Sequence, residues 1–263
     1  MAQMMNKNGV WIDGVRFFNG DRCDCLFLIS ERLKRGKATA VYTPNPVMLE
    51  NAARHPWFRA VLGRADLNLP DGVGVLLAAR LLGERLFCRL SGVDVAKSVL
   101  TLAAARGYRV FFLGGRPGIA EEAANKLISE CPSLTVCGVH DGYFSAKTEG
   151  VILEKIRRTG ADILFVCLGS PKQEVWIDRH RRELPDVKLF MALGGTLDVF
   201  AGKVKRAPLP IQNMGLEWLW RMAHEPRRLR DLSKMVAFSG RMMQRSLENL
   251  VILHRGNKQK IPF

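Results

Sequence analysis

The sequence predicts an α/β fold: a Rossmann-like, largely parallel sheet flanked by helices, followed by a basic helical appendage. Three observations predict it. Short apolar runs alternate with helix-patterned stretches as far as Gly202. Four of these runs end directly in polar turns: Thr43-Pro44-Asn45-Pro46, Leu69-Pro70-Asp71-Gly72, Gly169-Ser170-Pro171-Lys172-Gln173-Glu174 and Gly194-Gly195-Thr196-Leu197-Asp198. Beyond Gly202 the alternation stops and the chain turns basic. Open α/β sheets place their ligands at strand ends that feed such turns, so the four loops predict one cleft for a phosphorylated ligand.

Each element follows from local chemistry. Ala38 to Tyr42 is short, apolar and partly β-branched, which predicts a strand ahead of the first turn. Pro46 can open the next helix, because its missing N–H costs nothing there, and Val47, Leu49, Ala52 and Ala53 continue with helical spacing. Tyr108 to Leu113 predicts a buried strand ended by Gly114-Gly115-Arg116-Pro117-Gly118, with a helix from Ile119 to Ser129. Asp162 to Leu168 predicts another strand, with a helix reaching Arg182 after its turn. Lys188 to Leu193 predicts a third, running into Gly194-Gly195. Right-handed crossovers then make the sheet mostly parallel.

In the C-terminal region, Pro208 and Pro210 interrupt regular structure. Trp218, Trp220 and Met222 then stand among Arg221, Arg227, Arg228 and Arg230. From Leu232 to His254, apolar residues recur at helical spacing with Lys234, Arg241 and Arg245 between them, the pattern of an amphipathic basic helix. The expected organisation is therefore a catalytic α/β domain over 1–202 and a membrane- and acceptor-contacting appendage over 203–263.

Composition narrows the function classes. With 263 residues, 48% hydrophobic and 25% charged, the chain can bury a sizeable core. It has no apolar run of about 18 residues that would span a bilayer. Met1 to Gly9 lacks a secretory pattern, so a cytoplasmic location is expected. The six cysteines show no zinc-site spacing and read as reduced thiols. The net charge of +15 is uneven: residues 203–263 hold 13 Lys and Arg against 4 Asp and Glu. A basic tail on a nearly balanced body predicts an anionic partner.

The missing motifs exclude several chemistries. There is no Asp-x-Asp pair for a metal-bound nucleotide sugar, no Walker loop, and no nucleophile elbow. The glycines at 114–118 lack dinucleotide spacing, which leaves a nucleotide-binding oxidoreductase as a distant alternative. A nucleic-acid-binding module rests on charge alone, without a stacking array of aromatics, and is not expected. The residues present suit transfer onto a hydroxyl, which needs a carboxylate to take a proton and fixed cations to hold a leaving phosphate. Asp71 can serve as that base, or can simply form a turn or helix cap. Asn45 and Gln173 can bind a ligand or cap their own turns. Arg89, in an apolar stretch, requires an anion, which an internal carboxylate could equally provide.

Taken in order, these segments resemble the WecG/TagA/CpsF family of bacterial glycosyltransferases. The resemblance rests on Thr-Pro-Asn-Pro, Leu-Pro-Asp-Gly-Val-Gly, Arg-Leu-Ser-Gly-Val-Asp, Phe-Leu-Gly-Gly, Asp-Gly-Tyr-Phe, Leu-Gly-Ser-Pro-Lys-Gln-Glu, Gly-Gly-Thr-Leu-Asp-Val-Phe-Ala-Gly, Lys-Arg-Ala-Pro and Gly-Leu-Glu-Trp-Leu, between about Thr43 and Arg230. It implies metal-independent, inverting transfer from a UDP-sugar to a polyprenyl-diphosphate-linked sugar, with no cofactor. N-acetylmannosamine is the first expected donor sugar; glucose and N-acetylmannosaminuronic acid are alternatives. The resemblance makes Asp71 the general base and sets Thr43, Asn45, Arg89 and Gln173 on the donor. Gly194 and Gly195 would let backbone approach the nucleotide. Arg221, Arg227, Arg228 and Arg230 would approach the acceptor diphosphate. The appendage would hold the protein on the inner face of the membrane through anionic lipid, with self-association of its apolar face as the competing outcome.

Overall fold

The structure is a computed structural model that describes residues 9–224 and 226–258, the side chains of 226–228 and 250–258 excepted. It opens with a hairpin, β1 (Val10–Ile12) and β2 (Val15–Phe17), paired antiparallel. Asp13 and Gly14 both adopt positive φ at its turn, the geometry a tight two-residue hairpin favours. Helix α1 (Arg22–Lys34) begins at a capping box in which Asp21 and Asp24 each accept the other's backbone N–H.

A six-stranded parallel sheet follows, in the order β4–β3–β8–β7–β5–β6. Its strands are β3 (Thr39–Tyr42), β4 (Leu67–Asn68), β5 (Arg109–Gly114), β6 (Thr135–His140), β7 (Ile163–Cys167) and β8 (Leu189–Ala192). β3, β7 and β8 are buried at every position, which is why they read as continuous apolar runs rather than alternating ones. Helices α1, α5 (Gly92–Arg106), α6 (Ile119–Glu130) and α9 (Thr196–Phe200) pack on one face. On the other face lie α2 (Pro46–Arg54), α3 (Pro56–Gly63), α4 (Val73–Leu81), α7 (Glu149–Thr159), α8 (Lys172–His180) and the hairpin. The expected α/β fold is therefore present, with the parallel sheet between two helical layers.

The chain beyond Gly202 forms α10 (Leu209–Asn213), α11 (Glu217–His224), a 3-10 turn (Pro226–Asp231) and the long α12 (Leu232–Lys258). The prolines that break the sequence pattern open a short helix, with Pro208 at its cap and Pro210 in its first turn. α12 lies against α2 and α4 and inserts Phe238 and Met242, both at most 2% exposed, into the core beside the hairpin. Arg241 bridges Asp13 and Glu50, donating to Glu50 at 2.8 Å, and Arg245 also pairs with Asp13. Both acids are nearly buried, so two of the arginines that the sequence assigns to a lipid-facing surface are taken up by the body. Among the described residues, no helix is long and apolar enough to cross a membrane.

Candidate functional site

β4, β3, β8 and β7 are neighbours, so the four loops singled out in the sequence leave the sheet side by side. Backbone hydrogen bonds then fix them to one another. The Leu69 N–H donates to the Tyr42 carbonyl at 2.8 Å, and the Asp71 N–H to Pro44 at 3.3 Å. The Leu90 N–H donates to the Pro70 carbonyl at 2.9 Å, which carries Arg89 to the same place. α4 packs so closely on the first loop that a Cβ on Gly74 would stand 2.6 Å from the Pro46 ring. A side chain there would push α4 off Pro46 and open the loop pair.

Three of the four loops surround a cavity of about 640 Å³, a size suited to a small ligand. Thr43, Asn45, Asp71, Gly195 and Thr196 line it, with Ser91 and Gly92 from the start of α5. The remaining wall comes from Glu217, Trp218 and Arg221 on α11 and from α12. The cleft is thus closed by the chain beyond Gly202, which supplies side chains the sheet loops lack.

Asp71 caps nothing. The residue at the cap of α4 is Gly72, and the Asp71 carboxylate has no hydrogen-bond partner among the described residues. Burial raises its pKa from 3.8 to about 6; Arg89 opposes that shift, Glu217 adds to it, and Arg221 and Arg206 pull back. A carboxylate in such a setting is ionised at neutral pH and basic enough to accept a proton.

The other expected residues fall into distinct positions. Asn45 both caps α2, its side-chain oxygen accepting from the Met48 N–H at 3.1 Å, and lines the cavity. The two readings of this residue are compatible, because the cap uses only the oxygen. The Thr43 hydroxyl donates to Ala192 at 3.3 Å and keeps its lone pairs for a ligand. Gln173 is buried behind the cavity wall. Its oxygen accepts the Gly194 N–H at 2.9 Å and its nitrogen donates to Glu174 at 2.7 Å. Glu174 is fully buried and burial raises its pKa, so the pair forms a fixed support under the Gly194-Gly195 turn. Gly195 lines the cavity, and the Arg221 guanidinium lies 3.6 Å from where its Cβ would stand. Arg230 is exposed on the 3-10 turn, and the side chains of Arg227 and Arg228 lie outside the described residues. The Gly114–Gly118 loop does not reach this cavity.

The sequence reading missed the charge network that joins the two parts of the chain. Glu217 accepts from Arg206 at 3.0 and 3.1 Å, a two-pronged pairing, and its carboxylate lies 3.7 Å from Arg89. Arg206 reaches on to Asp94 in the first turn of α5, and Arg89 donates to the Gln212 carbonyl at 3.2 Å. Glu217 and Arg206 stand within Gly-Leu-Glu-Trp-Leu and Lys-Arg-Ala-Pro, but nothing local distinguishes them from a solvated pair. Arg89 therefore has its anion in an internal carboxylate here, and it also faces the cavity. The set places one unpartnered carboxylate beside fixed guanidinium groups. That arrangement can deprotonate a hydroxyl and hold a phosphate leaving group.

Most of the chain matches known proteins. The model of the glycosyl transferase WecG/TagA/CpsF family matches residues 10–250. A Bacillus spizizenii protein named N-acetylglucosaminyldiphosphoundecaprenol N-acetyl-beta-D-mannosaminyltransferase is 36% identical over 200 residues, covering 76% of this chain and 77% of its own length.

Proposed function

The chain belongs to the WecG/TagA/CpsF family of glycosyltransferases, and from that premise we propose that it moves N-acetylmannosamine from a UDP-sugar to a prenyl-diphosphate-linked N-acetylglucosamine. The donor and acceptor sugars come from the name of the Bacillus relative, and UDP from the sequence resemblance. The observation that carries the mechanism is Asp71, unpartnered at the cavity and held at a pKa of about 6.

In this reading Asp71 takes the proton from the acceptor hydroxyl as its oxygen attacks the anomeric carbon. The carbon–oxygen bond to UDP breaks, the glycosidic bond forms on the opposite face, and UDP leaves with the bonding electrons. Arg89 and Arg221 compensate charge on the phosphates, and Ser91, Gly92 and Val93 at the positive N-terminal end of α5 line the same space. These fixed positive groups fill the role a divalent metal would otherwise have. Thr43 and Asn45 orient the donor, and Gln173 acts through Gly194 by holding the turn that presents Gly195.

The region 203–263 completes the site while keeping the protein at the inner face of the membrane. Leu209, Met214, Leu219 and Leu229 are exposed apolar residues, and Arg230 stands beside Leu229. Basic residues near an anionic bilayer contribute about 1 kcal/mol each. Purified protein, a short-chain prenyl-diphosphate-N-acetylglucosamine and a panel of UDP-sugars test the proposal by UDP release. Release only with UDP-N-acetylmannosamine is expected, and equal release with UDP-glucose would displace the donor assignment.

A further inference from the structure

Two helices carry apolar side chains that the core does not use. On α4, Val73, Leu77 and Leu81 recur every four residues and so share one face, with Leu77 49% and Leu81 41% exposed. On α12, Leu232, Val236, Met243 and Leu247 form a second stripe at helical spacing that does not include the buried Phe238 and Met242. All four are exposed, Val236 by 64% and Met243 by 63%. The two helices are in contact, and Leu77, Val236 and Met243 line the cavity that contains Asp71 and Arg221. Gly240 lies between Val236 and Met243 on the same stripe, and a Cβ on it would meet nothing within 4 Å. The cavity therefore has a charged end and an apolar end that continues outward between two helices.

We propose that the groove between α4 and α12 holds the first isoprene units of the acceptor's prenyl chain. The inference rests on the transferase reading above and adds a binding subsite to it. A ligand that satisfies both ends must carry an anionic head directly attached to an apolar tail, which a prenyl diphosphate does. A nucleotide base would leave its polar edge unpaired against Leu77, Val236 and Met243. A bilayer surface could meet the same exposed residues, but Leu77, Val236 and Met243 also line the cavity that holds Asp71 and Arg221, which assigns them to the substrate. On this reading the apolar face of α12 is turned toward the substrate, and the missing side chain at Gly240 leaves room for the chain.

Gly240→Leu tests the groove directly. The added side chain enters open space and suits a helix interior better than glycine, so the variant is expected to fold. Acceptors of the form N-acetylglucosamine-diphosphate-R, with R methyl, C10 prenyl or C20 prenyl, are compared without vesicles or detergent. The readout is the ratio of kcat/KM for prenyl over methyl acceptors. Wild type is expected to prefer prenyl acceptors, and Gly240→Leu to lose about tenfold of that preference, the scale of a misfitted methylene group. Val236→Ser should lose part of it. Calorimetry with geranyl diphosphate against methyl diphosphate reads the same preference without turnover. An unchanged ratio in both variants overturns the proposal. So does an unchanged ratio accompanied by loss of vesicle binding, which would make the stripe a membrane contact, or by a change in sedimentation, which would make it a contact between copies. Wild-type transfer with no chain preference would refute the groove alone; no transfer to any acceptor would refute the transferase reading with it.

Discussion

Asp71→Asn should make the protein slower and more stable at the same time. The substitution keeps the size and shape of the side chain but removes the proton acceptor. Loss of a positioned general base costs about 10²–10⁴ in rate, and the variant is expected to retain donor binding while losing turnover on that scale. The stability effect follows from the raised pKa. Asp71 titrates near 3.8 when unfolded and at about 6 when folded. Between those values the native state binds more proton than the unfolded state, so stability falls as pH rises through this window. Above pH 6 the ionised carboxylate costs up to about 3 kcal/mol, and on the order of half that once solvent in the cavity is allowed for. Calorimetry at pH 4, 5, 6 and 7.5 should show the Asn variant melting with wild type at pH 4 and several degrees above it at pH 7.5. Assays of UDP release with a short-chain acceptor supply the rate. Wild-type turnover in the variant, or a stability difference that does not change with pH, would refute the reasoning.

Further outcomes follow from the site and from the contacts that support it. The rate of the wild-type enzyme should climb with pH and level off above about 6, as Asp71 ionises. Glu217→Gln removes a negative neighbour and should move that limb to lower pH, whereas Arg89→Gln removes a cation and should move it to higher pH, both read from pH–rate profiles. Arg241→Gln removes the partner shared by Asp13 and Glu50, which keep Arg245 and Arg54, and should cost about 2 kcal/mol, seen as a shifted urea midpoint. Phe238→Ala should cost a further few kcal/mol, about 3, by emptying a core position, and the same denaturation curves measure it.

The parallel sheet was legible because its central strands are buried on both faces and end in conspicuous turns. Ala38–Tyr42, Asp162–Leu168 and Lys188–Leu193 each match an observed strand to within a residue at either end. The N-terminal hairpin was not read, because three-residue strands are too short to show alternation. β4 is two residues long and was hidden by its own turn. Asn45, Thr43 and Asp71 could be found because each stands on a loop at a strand end, and Arg89 because a guanidinium in an apolar stretch requires an anion. Glu217 and Arg206 could not, since their importance comes from contacts with Arg89 and Asp94, more than 100 residues away in the chain. The two faces of α12 were merged in the sequence for a similar reason. Helical spacing marks apolar residues but does not say which of them, such as Phe238 and Met242, meet the core and which, such as Val236 and Met243, stay uncovered.

The most direct measurement is product analysis after one incubation. Purified protein, UDP-N-acetylmannosamine and a short-chain prenyl-diphosphate-N-acetylglucosamine are combined with a chelator present, and the product is read by mass and by NMR of the new anomeric centre. The account predicts a β-linked N-acetylmannosaminyl disaccharide on the prenyl diphosphate, formed by wild type and lost in Asp71→Asn. An α-linked product, a requirement for divalent metal, or equal product from the Asp71 variant would contradict it.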